Sequence, residues 1–371
     1  MSQESETGTA PAVFCYDGDM IKAVLTSDLH LTLDEKRSAV IPAMKYQPEI
    51  LESFFAQVSA LKPSVLILLG DNTNSGRYPD LIRLKKYLKP LVSDGISLIM
   101  IPGNHDFDIG SVADYERLFF PLLNPLARDP HSLSYSRRIE DVLFLAMDDH
   151  EDHRFPAGVL KKETLRWLEE QLIYAADENL RVIFLSHHSL LAEDWQPRPE
   201  FYCLQPASVL PLLQKYGVKL AFCGHTHDAC IARSGGLYET AVPMAEESGH
   251  LFGLLAIDNA RAEYSLHKII FPSPYAELIE TADREAVQSK KAVFAKLLEN
   301  SEGNQNEMID VLLAFTHAHD CGVIHEERDR IMAMPGYRDA MKNLKDNAWG
   351  RWMACLMGEG RLPQNRLSID F

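Results

Sequence analysis

Between about Lys22 and Ile270 the chain alternates short apolar runs with longer segments whose apolar residues recur at helical spacing. Val65–Leu69 reads VLILL and Ile96–Ile101 reads ISLIMI, so nearly every position is apolar. A strand with no polar face must be covered on both sides, which is the pattern of strands packed between helices. Ala23–Thr26, Ser97–Ile101, Val142–Met147, Arg181–Leu185 and Lys219–Phe222 read as strands in the same way. Gln47–Leu61 places Ile50, Leu51, Phe54, Phe55, Val58 and Leu61 on one helical face, and Asp80–Val92, Lys162–Asn179 and Ala207–Tyr216 also read as helices. Strands alternating with helices predict an α/β domain.

After Gly236 the helices give way to strand-like runs, including Phe252–Ile257 and Glu263–Ile270, which predict an antiparallel part of the sheets. The two prolines of Phe271-Pro-Ser-Pro274 interrupt both helix and ladder. Beyond them Tyr275–Asn300, Asn306–His317, His325–Met334 and Tyr337–Met357 read as helices, and the tail from Gly358 as loop. The expected organisation is a loosely ordered N-terminus at 1–21, a catalytic domain at 22–271 and a helical C-terminal domain at 272–371. The apolar stripes of the C-terminal helices read as core or as a homo-oligomer surface.

A net charge of −16 over 371 residues repels a polyanionic duplex, so polymeric nucleic acid is not an expected partner. A small phosphorylated substrate is compatible if bound cations reverse the local field. The first twenty residues lack the basic start and apolar stretch of a signal peptide, and no apolar run is long enough to cross a bilayer. A cytoplasmic location, with no membrane association, is the expectation. The six cysteines are scattered without a Cys-x-x-Cys pair and are expected to be reduced.

The chemistry-bearing residues fall in the turns after strands. These turns are Ser27-Asp28-Leu29-His30, Gly70-Asp71-Asn72-Thr73-Asn74-Ser75-Gly76, Pro102-Gly103-Asn104-His105-Asp106, Ser186-His187-His188 and Gly224-His225-Thr226-His227. Ligand sites in open α/β sheets favour the carboxyl ends of strands, so five such turns can converge. Each fragment alone is weak: Asp-x-His is common, Gly-Asp-Asn is usually a turn, and His-x-His is usually a satisfied polar pair. Together they hold six of the fourteen histidines, the carboxylates Asp28 and Asp71, and Asn104. Imidazole, carboxylate and amide oxygen suit Mn, Fe or Zn, whereas an all-oxygen set suits Mg or Ca.

In their order and content these blocks resemble the calcineurin-like metallophosphoesterase superfamily, marked by Asp-x-His, Gly-Asp, Gly-Asn-His-Asp or Glu, a lone His and Gly-His-x-His. Gly158-Val-Leu and the following Leu165–Leu172 also resemble the helix before the lone-His strand. The resemblance implies a four-layer sandwich of two mixed β-sheets flanked by helices, here with a C-terminal all-helical extension. It implies two divalent or trivalent metal ions, one held by Asp28, His30, Asp71 and His227, the other by Asp71, Asn104, His187 and His225. His105 is then the catalytic residue that assists the leaving oxygen, and Asp106 orients its ring. Strand alternation lets only one of His187 and His188 reach a metal, and the family position selects His187. His188 is left facing substrate or supporting a ligand.

Two departures narrow the branch. Asn74 stands where many members carry a supporting Asp, and the arginines of the protein-phosphatase blocks are missing. The pattern is closest to bacterial cyclic-nucleotide phosphodiesterase-like members, which implies metal-hydroxide attack on a small nucleotide diester, cyclic ones included. Alternatives at the same site are a phosphomonoesterase or nucleotide pyrophosphatase, and from another class a non-catalytic metal-binding scaffold. Asp148-Asp149-His150-Glu151-Asp152-His153 reads as a solvated loop beside the site. His317-Ala-His319 reads as a helix end, because i and i+2 do not share a helical face. Trp195, Phe201 and Tyr202 read as loop packing.

Overall fold

The parallel strands predicted from the apolar runs form, and the turns after them end up together. The computed structural model describes residues 20–34, 42–150, 158–191, 204, 206–247, 249–358 and 361–371. In chain order the first half runs β1 (Ile21–Thr26), α1 (Gln47–Leu61), β2 (Val65–Leu69), α2 (Tyr78–Ser93), β3 (Ser97–Ile101), α3 (Val112–Leu123), β4 (Ala127–Arg128), β5 (Tyr135–Ile139) and β6 (Val142–Ala146). It continues with α4 (Lys162–Asp177), β7 (Arg181–Leu185), α5 (Pro206–Lys215), β8 (Leu220–Cys223), β9 (Cys230–Ser234), β10 (Leu237–Ala241), β11 (Leu251–Ile257) and β12 (Arg261–Lys268). Five helices follow, α6 (Tyr275–Leu297), α7 (Gln305–Asp320), α8 (Ile324–Met332), α9 (Tyr337–Leu344) and α10 (Ala348–Leu356), and then β13 (Arg366–Asp370).

The strands make two mixed sheets, of order β13-β12-β11-β1-β2-β3 and β4-β5-β6-β7-β8-β10-β9. β1, β2 and β3 are mutually parallel, as are β6, β7 and β8, so all six point their carboxyl ends the same way within each sheet. Side-chain alternation divides the second sheet cleanly. Phe144, Ile183, Leu185 and Phe222 face inward and join the core of the first sheet and helices α1 to α3. Leu143, Leu145, Phe184 and Ala221 face the other way, toward α4, α5 and the C-terminal helices.

The helical stripes of α7 and α10 are therefore core: Met308, Val311, Leu312, Phe315 and Met353 are buried in the same cluster as the outer face of the second sheet. One reading of the sequence is overturned. The tail does not stay loop-like; β13 pairs antiparallel with β12, Ile369 opposite Ala262. Its apolar alternation is confined to Leu367 and Ile369, with only Ile369 buried, which is a short signal to read as a strand.

Candidate metal centre

Five turns, three from the first sheet and two from the second, meet at the carboxyl ends of β1, β2, β3, β7 and β8. Asp28 and His30 follow β1, Asp71 follows β2, Asn104 and His105 follow β3, His187 follows β7, and His225 and His227 follow β8. His30 Nε2 lies 3.9 Å from Asp28 Oδ1 and 3.7 Å from Asp71 Oδ2. His227 Nε2 is 3.5 Å from Asp28 Oδ1, and His187 Nε2 is 3.4 Å from Asp71 Oδ2. Two groups of potential ligand atoms result, Asp28–His30–His227 and Asp71–His187–His225, with Asp71 also beside His30 and His105.

The backbone is bent to achieve this. Asp28, His30, Asp71, His225 and His227 all have positive φ, between 40° and 66°. For residues with a Cβ this region is sparsely populated, and it persists only where surrounding structure enforces it. Glycine removes the remaining obstacle at two points. A Cβ on Gly70, itself at φ +92°, would sit 2.3 Å from His187 Nδ1, and one on Gly224 would sit 1.7 Å from Ser27 Oγ. The sheets can close on each other at the site only because those side chains are absent.

Hydrogen bonds aim the donors. Leu69 O accepts from His187 Nδ1 at 2.8 Å, which leaves Nε2 directed at Asp71. The backbone N–H of His105 donates to Asp71 Oδ1 at 2.8 Å, so Oδ2 faces His30 and His187. His225 N donates to both oxygens of Asp28, at 3.2 and 2.9 Å. Burial opposes ionisation of Asp71, yet the imidazoles of His187, His30 and His105 hold its carboxyl well below the usual carboxylate range. Burial likewise disfavours a charged His187, but Asp71 and Asp28 raise it to about 10. A cation placed at Nε2 takes the position of that proton, so metal uptake and proton release are linked.

These residues fit two cations. His30 Nε2 and His227 Nε2 are 3.1 Å apart, and His225 Nδ1 and His187 Nε2 are 3.2 Å apart. Two ligands at about 2.0–2.1 Å from one zinc-like ion are separated by roughly 3.0–3.4 Å. Among the described residues, Asn104 Oδ1 is buried and has no hydrogen-bond partner. A buried amide oxygen in that state costs free energy unless something occupies it, and a cation would.

Several expectations change. Asp106 does not orient His105. Its carboxylate accepts the N–H groups of Asn72, Thr73 and Gly103 at 2.8–3.1 Å, and also the side chains of Asn72 and Thr73 at 2.9 Å. It is buried and stitches the β2 turn to the β3 turn. Asp108 meets the ring instead, with Oδ2 2.9 Å from His105 Nδ1. The short helical turn Asn104–Phe107 brings position i+3 onto that face, a spacing visible in the sequence and not used.

Asp148, Asp149 and His150 are buried, not solvated, while 151–157 lie outside the described residues. Asp149 lies three residues past the end of β6 and accepts the backbone N–H of His188 at 2.7 Å. His188 is buried with its Nδ1 3.2 Å from Asp149, so it does not face substrate; it supports the turn. His319 lies in the last turn of α7, as its sequence context indicated. Trp195, Phe201 and Tyr202 lie outside the described residues.

A family profile described as calcineurin-like phosphoesterase matches residues 21–229. Among solved structures the chain is similar to a dimetal phosphatase from Danio rerio, with 14% identity and a TM-score of 0.54, covering 67% of this chain and 96% of that one. It is more loosely similar to purple acid phosphatase PPD1 from yellow lupin (Lupinus luteus), with 13% identity and a TM-score of 0.49, covering 68% and 52%. At 14% identity the likeness to the dimetal phosphatase is one of fold. No curated protein matches the chain. No helix among the described residues is long and apolar enough to cross a membrane. Because the profile spans more than half of the sequence, the chain belongs to the calcineurin-like phosphoesterases, a dinuclear metal-dependent family of phosphoester hydrolases.

Proposed function

We propose that this chain hydrolyses a phosphodiester of a small molecule, a nucleotide and in particular a cyclic one, at the centre described above. Asp28, His30, Asp71 and His227 would hold one cation, and Asp71, Asn104, His187 and His225 the other. The observation that carries the reading is Asp71, whose carboxylate stands between the two ligand groups with each oxygen directed by a named neighbour. The mixed N/O donor set favours Mn, Fe or Zn. Bound there, the two ions would polarise the phosphoryl group and make water acidic enough to attack near neutral pH.

The protein's own residues supply the rest. His105 is the one imidazole of the β3 turn, its ring centroid 4.9 Å from that of His30 and its side chain 32% exposed, so it borders both the ion site and solvent. With Nδ1 engaged by Asp108, Nε2 is the nitrogen free to pass a proton to the leaving oxygen. Asp106 holds the two turns in register and never reaches the reacting atoms. None of the five turns carries a lysine or arginine. A monoester dianion would gain from such cations, whereas a diester monoanion needs only what the ions provide, which supports the diester. The nucleotide specificity is supported by the resemblance of the sequence blocks to bacterial phosphodiesterase-like members.

The test is hydrolysis by purified, metal-supplemented protein of a generic diester, a monoester, and 2′,3′- and 3′,5′-cyclic nucleotides. The diesters should turn over faster than the monoester, with Asn104→Ala slower by about 100-fold or more. Equal rates for the variant would overturn the ligand set. Absence of any turnover in protein carrying two ions would instead point to a metal-binding scaffold.

A further inference from the structure

The turn bearing His225 and His227 is gripped from outside the two sheets. His319, in the last turn of α7 and 2% exposed, places Nε2 2.7 Å from Asp228 Oδ1, and Asp228 directly follows His227. The His319 ring is itself fixed, edge-on to Trp352 of α10 at 4.7 Å between centroids and stacked with Phe315 at 6.4 Å. One residue further along the turn, Ala229 O accepts from Gln364 Nε2 at 2.9 Å. Gln364 Oε1 accepts from Ile324 N at 3.1 Å at the start of α8, and its Nε2 lies 3.4 Å from His319 Nδ1. Two contacts from the last sixty residues therefore land on Asp228 and Ala229, and Gln364 ties their two donors to each other.

What they hold is one of the less enclosed ligand candidates. His227 is 32% exposed, whereas Asp28, His30, Asp71 and His187 are almost completely buried. Side-chain packing fixes those four; the direction of the His227 ring depends far more on its backbone. That backbone sits at φ +62°, a conformation its own side chain disfavours and only its neighbours can maintain.

We propose that His319 is a positioning residue for cation retention: through Asp228 it holds the Thr226–Ala229 turn so that His227 stays against Asp28 and His30. The C-terminal helices are then part of the metal centre, supplying no ligand but determining how firmly one of the two ions is kept. This rests on the ligand reading proposed above.

The experiment uses the full chain with His319→Ala, His319→Gln and Asp228→Ala. Asp228 is 22% exposed, so its truncation breaks the same contact without opening the core, should His319→Ala fail to fold. Metal per chain is measured after dialysis against graded chelator with Mn or Zn as the probe, and hydrogen exchange at 225–229 is followed in metal-free protein. Loss of the contact should weaken retention of one ion by about 10–100-fold and leave the other near wild type. Exchange at 225–229 should rise without metal present, and His319→Gln, whose amide can still donate to Asp228, should recover most of both effects. Wild-type retention in His319→Ala and Asp228→Ala, or unchanged exchange in the metal-free variants, would overturn the proposal. A wild-type chain that takes up no ion contradicts the ligand reading instead, while the exchange measurement still decides whether the brace exists.

Discussion

Two clusters of imidazole and carboxylate lie side by side in this protein, and they are built differently. The first gathers Asp28, His30, Asp71, His187, His225 and His227 from turns of both sheets, five of the six at positive φ. The second gathers Asp149, His150 and His188 from the ends of β6 and β7, neighbours in one sheet, all with ordinary backbone. Their potential ligand atoms are equally close, and the rings of His188 and His225 are only 4.2 Å apart between centroids. Yet the first opens to solvent at His105 and His227. The second is sealed, with Asp149 taking both the N–H and the Nδ1 side of His188. Proximity of His and Asp alone does not separate a chemical centre from a brace. Strained backbone, convergence from separate sheets and an opening to solvent do.

The sharpest difference should appear at the open rim. His105→Ala is expected to lower turnover by about 10²–10⁴-fold with metal content unchanged, because a proton donor is lost and no ligand is. Asp108→Asn should cost roughly 10-fold, since it loosens the ring without removing it. Steady-state kinetics with parallel metal analysis check both, and a loss of ions in His105→Ala would make that residue a ligand.

Smaller still is the expected effect of Asp149→Asn on chemistry, within a few-fold; its cost falls on stability. Burial works against ionised Asp149, but His188 and His150 outweigh it and hold its carboxyl below the usual range. A carboxyl depressed in this way contributes its full stabilisation above the unfolded value of about 4 and loses it as pH falls further. Asp149→Asn should therefore be less stable than wild type by about 1–3 kcal/mol at pH 7. The gap should narrow below about pH 4 in denaturant titrations. A fall in bound metal in this variant would erase the distinction between the clusters.

Much of the sandwich was legible because its strands are apolar on both faces. Gln47–Leu61, Val65–Leu69, Ser97–Ile101 and Arg181–Leu185 form with the boundaries their patterns indicate. The five turns were legible because His, Asp and Asn accumulate there far beyond what loops require. What escaped notice was set by tertiary contact. β13 is five residues long and mostly exposed, so its alternation of Leu367 and Ile369 is too short to stand out, and it pairs with the edge of β12. The acidic run after β6 looks soluble, yet its first three residues, Asp148, Asp149 and His150, are buried, and Asp149 accepts the backbone N–H of His188. Asp106 beside His105 suggested a ring partner, but the helical turn sends it to Asn72 and Thr73 and brings Asp108 round. The contact between His319 and Asp228 joins residues 91 apart in sequence and has no local signal at all.

The most direct test of the dinuclear reading is metal stoichiometry of the full chain by elemental analysis, comparing wild type with Asp71→Asn and Asp149→Asn. Two ions per chain are expected in wild type and in Asp149→Asn, and fewer than one in Asp71→Asn. Two ions retained by Asp71→Asn, or none bound by folded and active wild type, would contradict it.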